Sequence, residues 1–274
     1  MDKGRSLPAR ESALPGESLA SLLRRTAACM GYHSPGQIRQ LLSTVGKVPW
    51  NVDHIGPGPL IDHLAILLRT GTDDILALTV HRFAKRLALG AGNDSIAETC
   101  DFKTTRRYFT PTPALCPTCL REDAVPYERL TWSLRPLGFC TRHHCFLVTK
   151  CHHCGRPLWQ DRSDVNRCHC GQELRDKAPS SLSAGARALV PLLDDLFSAA
   201  NPSVLAISSP TCVWWAERLA AAAVKTPAWI QGFQGTLALP EDLPIHVTAW
   251  LAAADILSHW PQRFEQFRVQ SRVL

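Results

Sequence analysis

The chain has 274 residues, 45% of them hydrophobic and 20% charged, the balance of a folded protein rather than a disordered one. No window approaches the ~18 uninterrupted apolar residues of a membrane-spanning helix, and the opening residues lack the apolar core of a secretory signal, so the expected compartment is the cytoplasm. The formal charge of +6 is concentrated in the middle: residues 1–100 carry 11 basic and 9 acidic groups, residues 101–178 carry 13 and 8, and residues 179–274 carry 6 and 7.

Residues 1–13 read as a flexible polar arm with no apolar period. Ser18 then caps a helix whose face is Leu19, Leu22, Leu23, Ala27 and Met30, ending at Gly31. Ser34-Pro35-Gly36-Gln37 predicts a capping box with Pro at the first helical position, followed by a face of Ile38, Leu41, Leu42 and Val45. Leu60, Ile61, Leu64, Leu67 and Leu68 give a third helix. Thr72 caps a fourth, with Asp73 and Asp74 set favourably against the helix dipole. Short helices joined by tight turns predict a helix-turn-helix-like module over residues 14–90, although any small helical bundle shares this periodicity.

Residues 91–112 read as a linker, and residues 113–177 as a metal-stapled region with no long helix. Residues 178–274 return to helical texture as a C-terminal domain, with helices near 183–199, 211–224 and 244–258. Pro191 is expected to kink or restart the first of these. Trp260, Phe264 and Phe267 are expected to clasp the helix before them. The fold class expected is therefore mainly α around a small central zinc-ribbon region.

The middle carries four pairs of ligand type: Cys116/Cys119, Cys140/His143, Cys151/Cys154 and Cys168/Cys170. Each short spacing turns two donors toward one ion, and two pairs close a tetrahedral site. Two structural Zn²⁺ are expected, one held by three thiolates and an imidazole, the other by four thiolates. Gly155 and Gly171 follow the second Cys of a pair and permit the left-handed turn that aims amides at sulfur. His144 and Cys145 are alternative donors at the first site. His152, His153 and His169 lie inside turns and read as exposed rather than ligating. Cys29 and Cys212 read as buried thiols, while Cys100 stands alone.

Seven thiolates and two Zn²⁺ contribute −3, leaving the middle near +2, a weak footprint for nucleic acid. No glycine phosphate loop, dinucleotide fingerprint, nucleophile elbow or zinc-protease helix is present, so no enzyme and no small-molecule substrate is expected.

Several of these stretches resemble the TniQ family, target-selection proteins of large bacterial transposons. Leu14-Pro-Gly-Glu-Ser-Leu-Ala-Ser-Leu-Leu-Arg-Arg25 is similar to the family's opening. Thr70-Gly-Thr-Asp-Asp-Ile-Leu-Ala-Leu-Thr79 resembles its helix-turn segment. Cys116-Pro-Thr-Cys-Leu-Arg-Glu-Asp123, Trp132 and Cys140-x2-His143 follow its first zinc finger, and Cys151-x2-Cys154-Gly-Arg-Pro-Leu158 with Cys168-x-Cys170 follows the second. Ile256-Leu-Ser-His-Trp-Pro-Gln-Arg-Phe264 resembles a segment near the C terminus of many members. Leu22 stands where the family usually has Trp.

The resemblance implies a non-catalytic adaptor. It would connect target DNA, or an RNA-guided CRISPR effector, to an AAA+ transposition ATPase of the TnsC type, acting in the cytoplasm at the nucleoid. The alternative is a free-standing zinc-ribbon and helix-turn-helix regulator that binds promoter DNA. Arg24 and Arg25, at the polar edge of the first helix, and Arg263 and Arg268 near the C terminus are the candidate partner or nucleic-acid contacts.

Overall fold

The structure, a computed structural model, describes residues 6–83, 108–110, 112–159, 162–197, 211–240 and 243–271, with main chain alone at 195, 196 and 211–215. Most of the expected linker, Cys100 and the side chain of Cys212 lie outside these residues. Among the described residues the fold is mainly helical, with ten α-helices and one two-stranded sheet. No described helix is long and apolar enough to cross a membrane. The chain divides into two compact units, one of residues 1–84, 99–134 and 147–179, the other of residues 85–98, 135–146 and 180–274.

In the first unit, α1 (Leu19–Cys29) starts where the Ser18 hydroxyl accepts the Ser21 amide at 3.2 Å. Asp53 adds a second acceptor, taking the Ala20 amide at 2.7 Å. Burial pushes the Asp53 carboxyl up to about 6, against the opposing pull of the Ala20 amide and the Arg24 charge. Leu19, Leu22, Leu23 and Ala27 are buried as their spacing predicts. Cys29 is exposed, contrary to expectation: it is the last residue of α1, past the buried stretch that ends at Ala27.

Helix α2 (Gly36–Ser43) begins without the expected capping box; Ser34 instead accepts the Gly36 amide at 2.9 Å. Only Ile38 and Leu42 are buried on it. Leu41 and Val45 are exposed, because two turns of helix bury one narrow stripe and Val45 lies past its end. Helix α3 (Pro59–Leu68) has Pro59 at its first turn. Helix α4 (Thr72–Leu76) is capped one residue earlier than expected: Gly71 is the cap, and Asp74 reaches back to its amide at 3.2 Å. Leu19, Leu23, Ile38, Leu42, Leu64 and Ile75 form the shared core. Residues 6–13 are not a free arm. Leu7 enters that core and its amide donates to Leu67 O at 3.0 Å, while Glu11 pairs with Arg25 at 2.8 Å. Helix α5 (Pro117–Glu122) completes the helices among this unit's described residues.

In the second unit, β1 (Phe139–Cys140) and β2 (Cys145–Phe146) pair antiparallel, Phe139 opposite Phe146 and Cys140 opposite Cys145. Five helices follow: α6 (Ala184–Phe197), α7 (Thr211–Val224), α8 (Pro227–Thr236), α9 (Ile245–Ser258) and α10 (Gln262–Ser271). Helix α9 is buried on all sides from Val247 to Ile256, as an apolar run without a polar face requires. Pro191 does not break α6: its ring faces solvent while Val190, Leu192 and Leu193 hold the helix against the core.

Helix α8 was not expected: two of its ten residues are glycine and only three are buried, although Pro227 in its first turn marks its start. It supplies Trp229, whose ring meets the fully buried Phe267 edge-on at 5.2 Å. The expected aromatic clasp is therefore split. Phe267 belongs to the core, whereas Trp260 is exposed and stacks on the half-buried Phe264 at 4.6 Å.

Candidate metal centre

Two groups of four donors assemble, Cys116/Cys119/Cys140/His143 and Cys151/Cys154/Cys168/Cys170, each with all ligand atoms within 4.8 Å of one another. In the first group Cys116 is the N-cap of α5, its Sγ accepting the Cys119 amide at 3.5 Å, and Pro117 starts the helix. Helix geometry thus turns Cys119 back toward Cys116. Cys140 ends β1, and the turn that follows brings His143 Nδ1 to 3.6 Å from Cys140 Sγ. His144, in the left-handed region at φ 48°, closes that turn by donating its amide to Cys140 O at 2.8 Å. Neither His144 nor Cys145, which sits buried in β2, joins the donor group.

The second group is built from two short turns. Gly155 (φ 69°) donates to Cys151 O at 2.9 Å, and Gly171 (φ 84°) donates to Cys168 O at 2.9 Å. Both glycines therefore take the left-handed turn that their position after a Cys pair predicts. Sulfur separations are 3.7 Å for Cys151–Cys170 and 3.8 Å for Cys154–Cys168. Burial works to raise the Cys151 thiol, but the Cys154 and His153 amides together with the Cys168 and Cys170 side chains bring the group down to about 7. His152, His153 and His169 are exposed and outside the group.

These distances match a specific coordination. A disulfide needs about 2.05 Å between sulfurs. A tetrahedral ion with metal–sulfur bonds of about 2.3 Å needs sulfur–sulfur edges of about 3.8 Å, and a sulfur–imidazole edge of about 3.6 Å. Each cluster can hold one metal ion, and both donor sets are closed.

The arginines have a different fate from the one their helix position suggests. Arg24 is 1% exposed. Its Nη1 donates to Glu128 Oε2 at 2.5 Å and its Nε to Arg162 O at 3.0 Å. Arg162, also 1% exposed, pairs with the other oxygen of Glu128. Burial holds the Arg162 guanidinium well below its usual range, Arg24 beside it adding to the effect, while Asp164 and Cys168 oppose it. Arg25 pairs with the fully buried Glu17 and with Glu11, both at 2.8 Å. Ser21 ties the two networks, donating to Glu17 at 2.7 Å and accepting the Glu128 amide at 3.0 Å.

Arg24 and Arg25 are thus committed inside the fold and present no free guanidinium to a partner. Glu17, Glu128 and Arg162 escaped the sequence reading. The visible signal was Glu17 within the opening motif, eight residues before Arg25; the other two are distant in sequence. Arg263 and Arg268 are partly exposed on α10, but Arg263 pairs with Asp255 at 3.2 Å and Arg268 with Glu265 at 2.8 Å.

Comparison with curated proteins finds no significant match. The TniQ family model matches residues 8–147, from the N-terminal helices through the first donor group and β2. This span covers just over half the chain and implies a transposition-associated adaptor role, in a family that is non-catalytic. The chain belongs to the TniQ family.

Proposed function

We propose that this protein is a target-selection adaptor of transposition, linking a target-recognition module to an AAA+ ATPase of the TnsC type. The family match across residues 8–147 carries this reading, because it spans both the helical module and the first donor group. The recognition module is target DNA or an RNA-guided CRISPR effector, engaged in the cytoplasm at the nucleoid. Both metal ions are Zn²⁺: thiolate-rich closed tetrahedra suit a structural zinc and leave no position for a reacting water. They brace the surfaces an adaptor presents and take no part in chemistry.

The test is co-purification of the zinc-replete full chain with an AAA+ ATPase of the TnsC type, with and without ATP and target duplex. ATP-dependent capture is the expected result. Tight binding to one promoter sequence without capture of the ATPase would instead establish the regulator reading.

A further inference from the structure

From Arg129 to Gln160 the chain has no acidic residue and five Lys or Arg. Part of this run folds into a hairpin that carries the second donor group. Leu158 donates to Thr149 O and Cys151 to Arg156 O, both at 2.9 Å, and Lys150 bridges Pro157 across the strands. Lys150 and Arg156 occupy the two strands, and His152 and His153 the turn. All four side chains are exposed, and none has an ion pair or hydrogen bond among the described residues. Nearby cations are used differently: Arg167 and Arg175 share Glu173 at 2.9 and 3.3 Å. Lys150 and Arg156 thus lack the carboxylate that Arg167 and Arg175 have.

Trp159 leaves the hairpin 48% exposed. Its main chain is nevertheless fixed, because the buried Arg162 donates Nη1 to Trp159 O at 2.9 Å and is itself held by Glu128. An indole in solvent on an anchored backbone, beside unpaired cations, is the combination that stacks on bases while neighbouring charges meet phosphates. A duplex keeps its base faces stacked internally, so the indole selects for unpaired nucleotides. The four-thiolate centre adds negative charge, and its Cys168 lies near enough to the buried Arg162 to share its field.

We infer that the hairpin of residues 149–159 is a contact for single-stranded nucleic acid, with Lys150 and Arg156 on phosphates and Trp159 stacked on a base. This deepens the adaptor reading by placing a nucleic-acid contact on it. It is tested without the ATPase, so the two fail separately.

The experiment is fluorescence anisotropy of the zinc-replete full chain with short labelled oligo-uridine, oligo-thymidine and a mixed-sequence duplex, across a salt series. Both single strands are expected to bind more tightly than the duplex, and the two arms show whether RNA or DNA is preferred. Lys150→Gln with Arg156→Gln should weaken binding about 10-fold and flatten the salt slope by about 1.4, the two phosphates each contributing about 0.7. Trp159→Ala should weaken it at least about 5-fold with the slope retained, and Trp159→Phe should restore most of the loss. Zinc content and far-UV circular dichroism verify that each variant is folded. Unchanged affinity and slope in the glutamine variant would overturn the inference. So would a preference for duplex, no binding to either single strand, or competition by poly-glutamate as effective as that by the oligonucleotides.

Discussion

Serine at Cys116 or Cys151 is expected to leave the protein insoluble or readily proteolysed, with one zinc lost per chain. Structural zinc sites in finger peptides bind with about 10–16 kcal/mol, and because the site forms only on folding this is folding energy. A typical domain has only about 5–15 kcal/mol of net stability, so loss of one centre exceeds the margin. Elemental analysis of the unmodified chain should return two zinc ions. A value of one or none, or soluble serine variants with unchanged zinc, would remove the metal assignment.

The second large effect is expected from Glu128→Ala. One carboxylate stands between Arg24 and Arg162, and all three side chains are buried. Removing it leaves two guanidinium groups facing each other out of water. Breaking a buried pair from one side costs about 3–5 kcal/mol. For a chain of this size that corresponds to a fall in Tm of roughly 6–20 °C. Thermal denaturation followed by circular dichroism reads this directly. Joint replacement by Arg24→Met, Arg162→Met and Glu128→Leu should cost less than Glu128→Ala alone, since no charge is then stranded. A Tm within about 2 °C of the parent for Glu128→Ala would mean that the network is solvated and contributes little.

That network also shows where sequence reasoning stopped. Helical periodicity placed Arg24 and Arg25 on the polar edge of α1, and an isolated helix would solvate them. What buries Arg24 is Glu128 and Arg162, separated from it by 104 and 138 residues. No local period encodes such a contact. Leu19, Leu22 and Leu23 were legible because a core face repeats every turn. The eight metal donors were legible because short Cys and His spacings have few other uses. Cys29 was misread from residue type, since a thiol is usually buried, whereas it ends α1 beyond the last buried residue, Ala27. Pro191 lies within the continuous helix α6 and does not restart it, a strong local rule yielding to packing on both sides of it. Helix α8 is as long as α3, but two of its ten residues are glycine, a poor helix former, and only Trp229, Ile230 and Phe233 are buried on it.

The two donor groups differ in their access to solvent. In the first, three cysteines are buried and His143 is intermediate; in the second, Cys170 is exposed and Cys154 intermediate. A chelator or an oxidant reaches Cys170 without any opening of the fold, whereas the buried thiolates of the first group wait for local unfolding. Metal loss should therefore proceed in two phases, with the second centre emptying first when a colorimetric chelator is followed in time. A single phase would show that both sites open together. The ordering makes the second centre the point at which zinc scarcity or oxidation first draws on the folding energy of the chain.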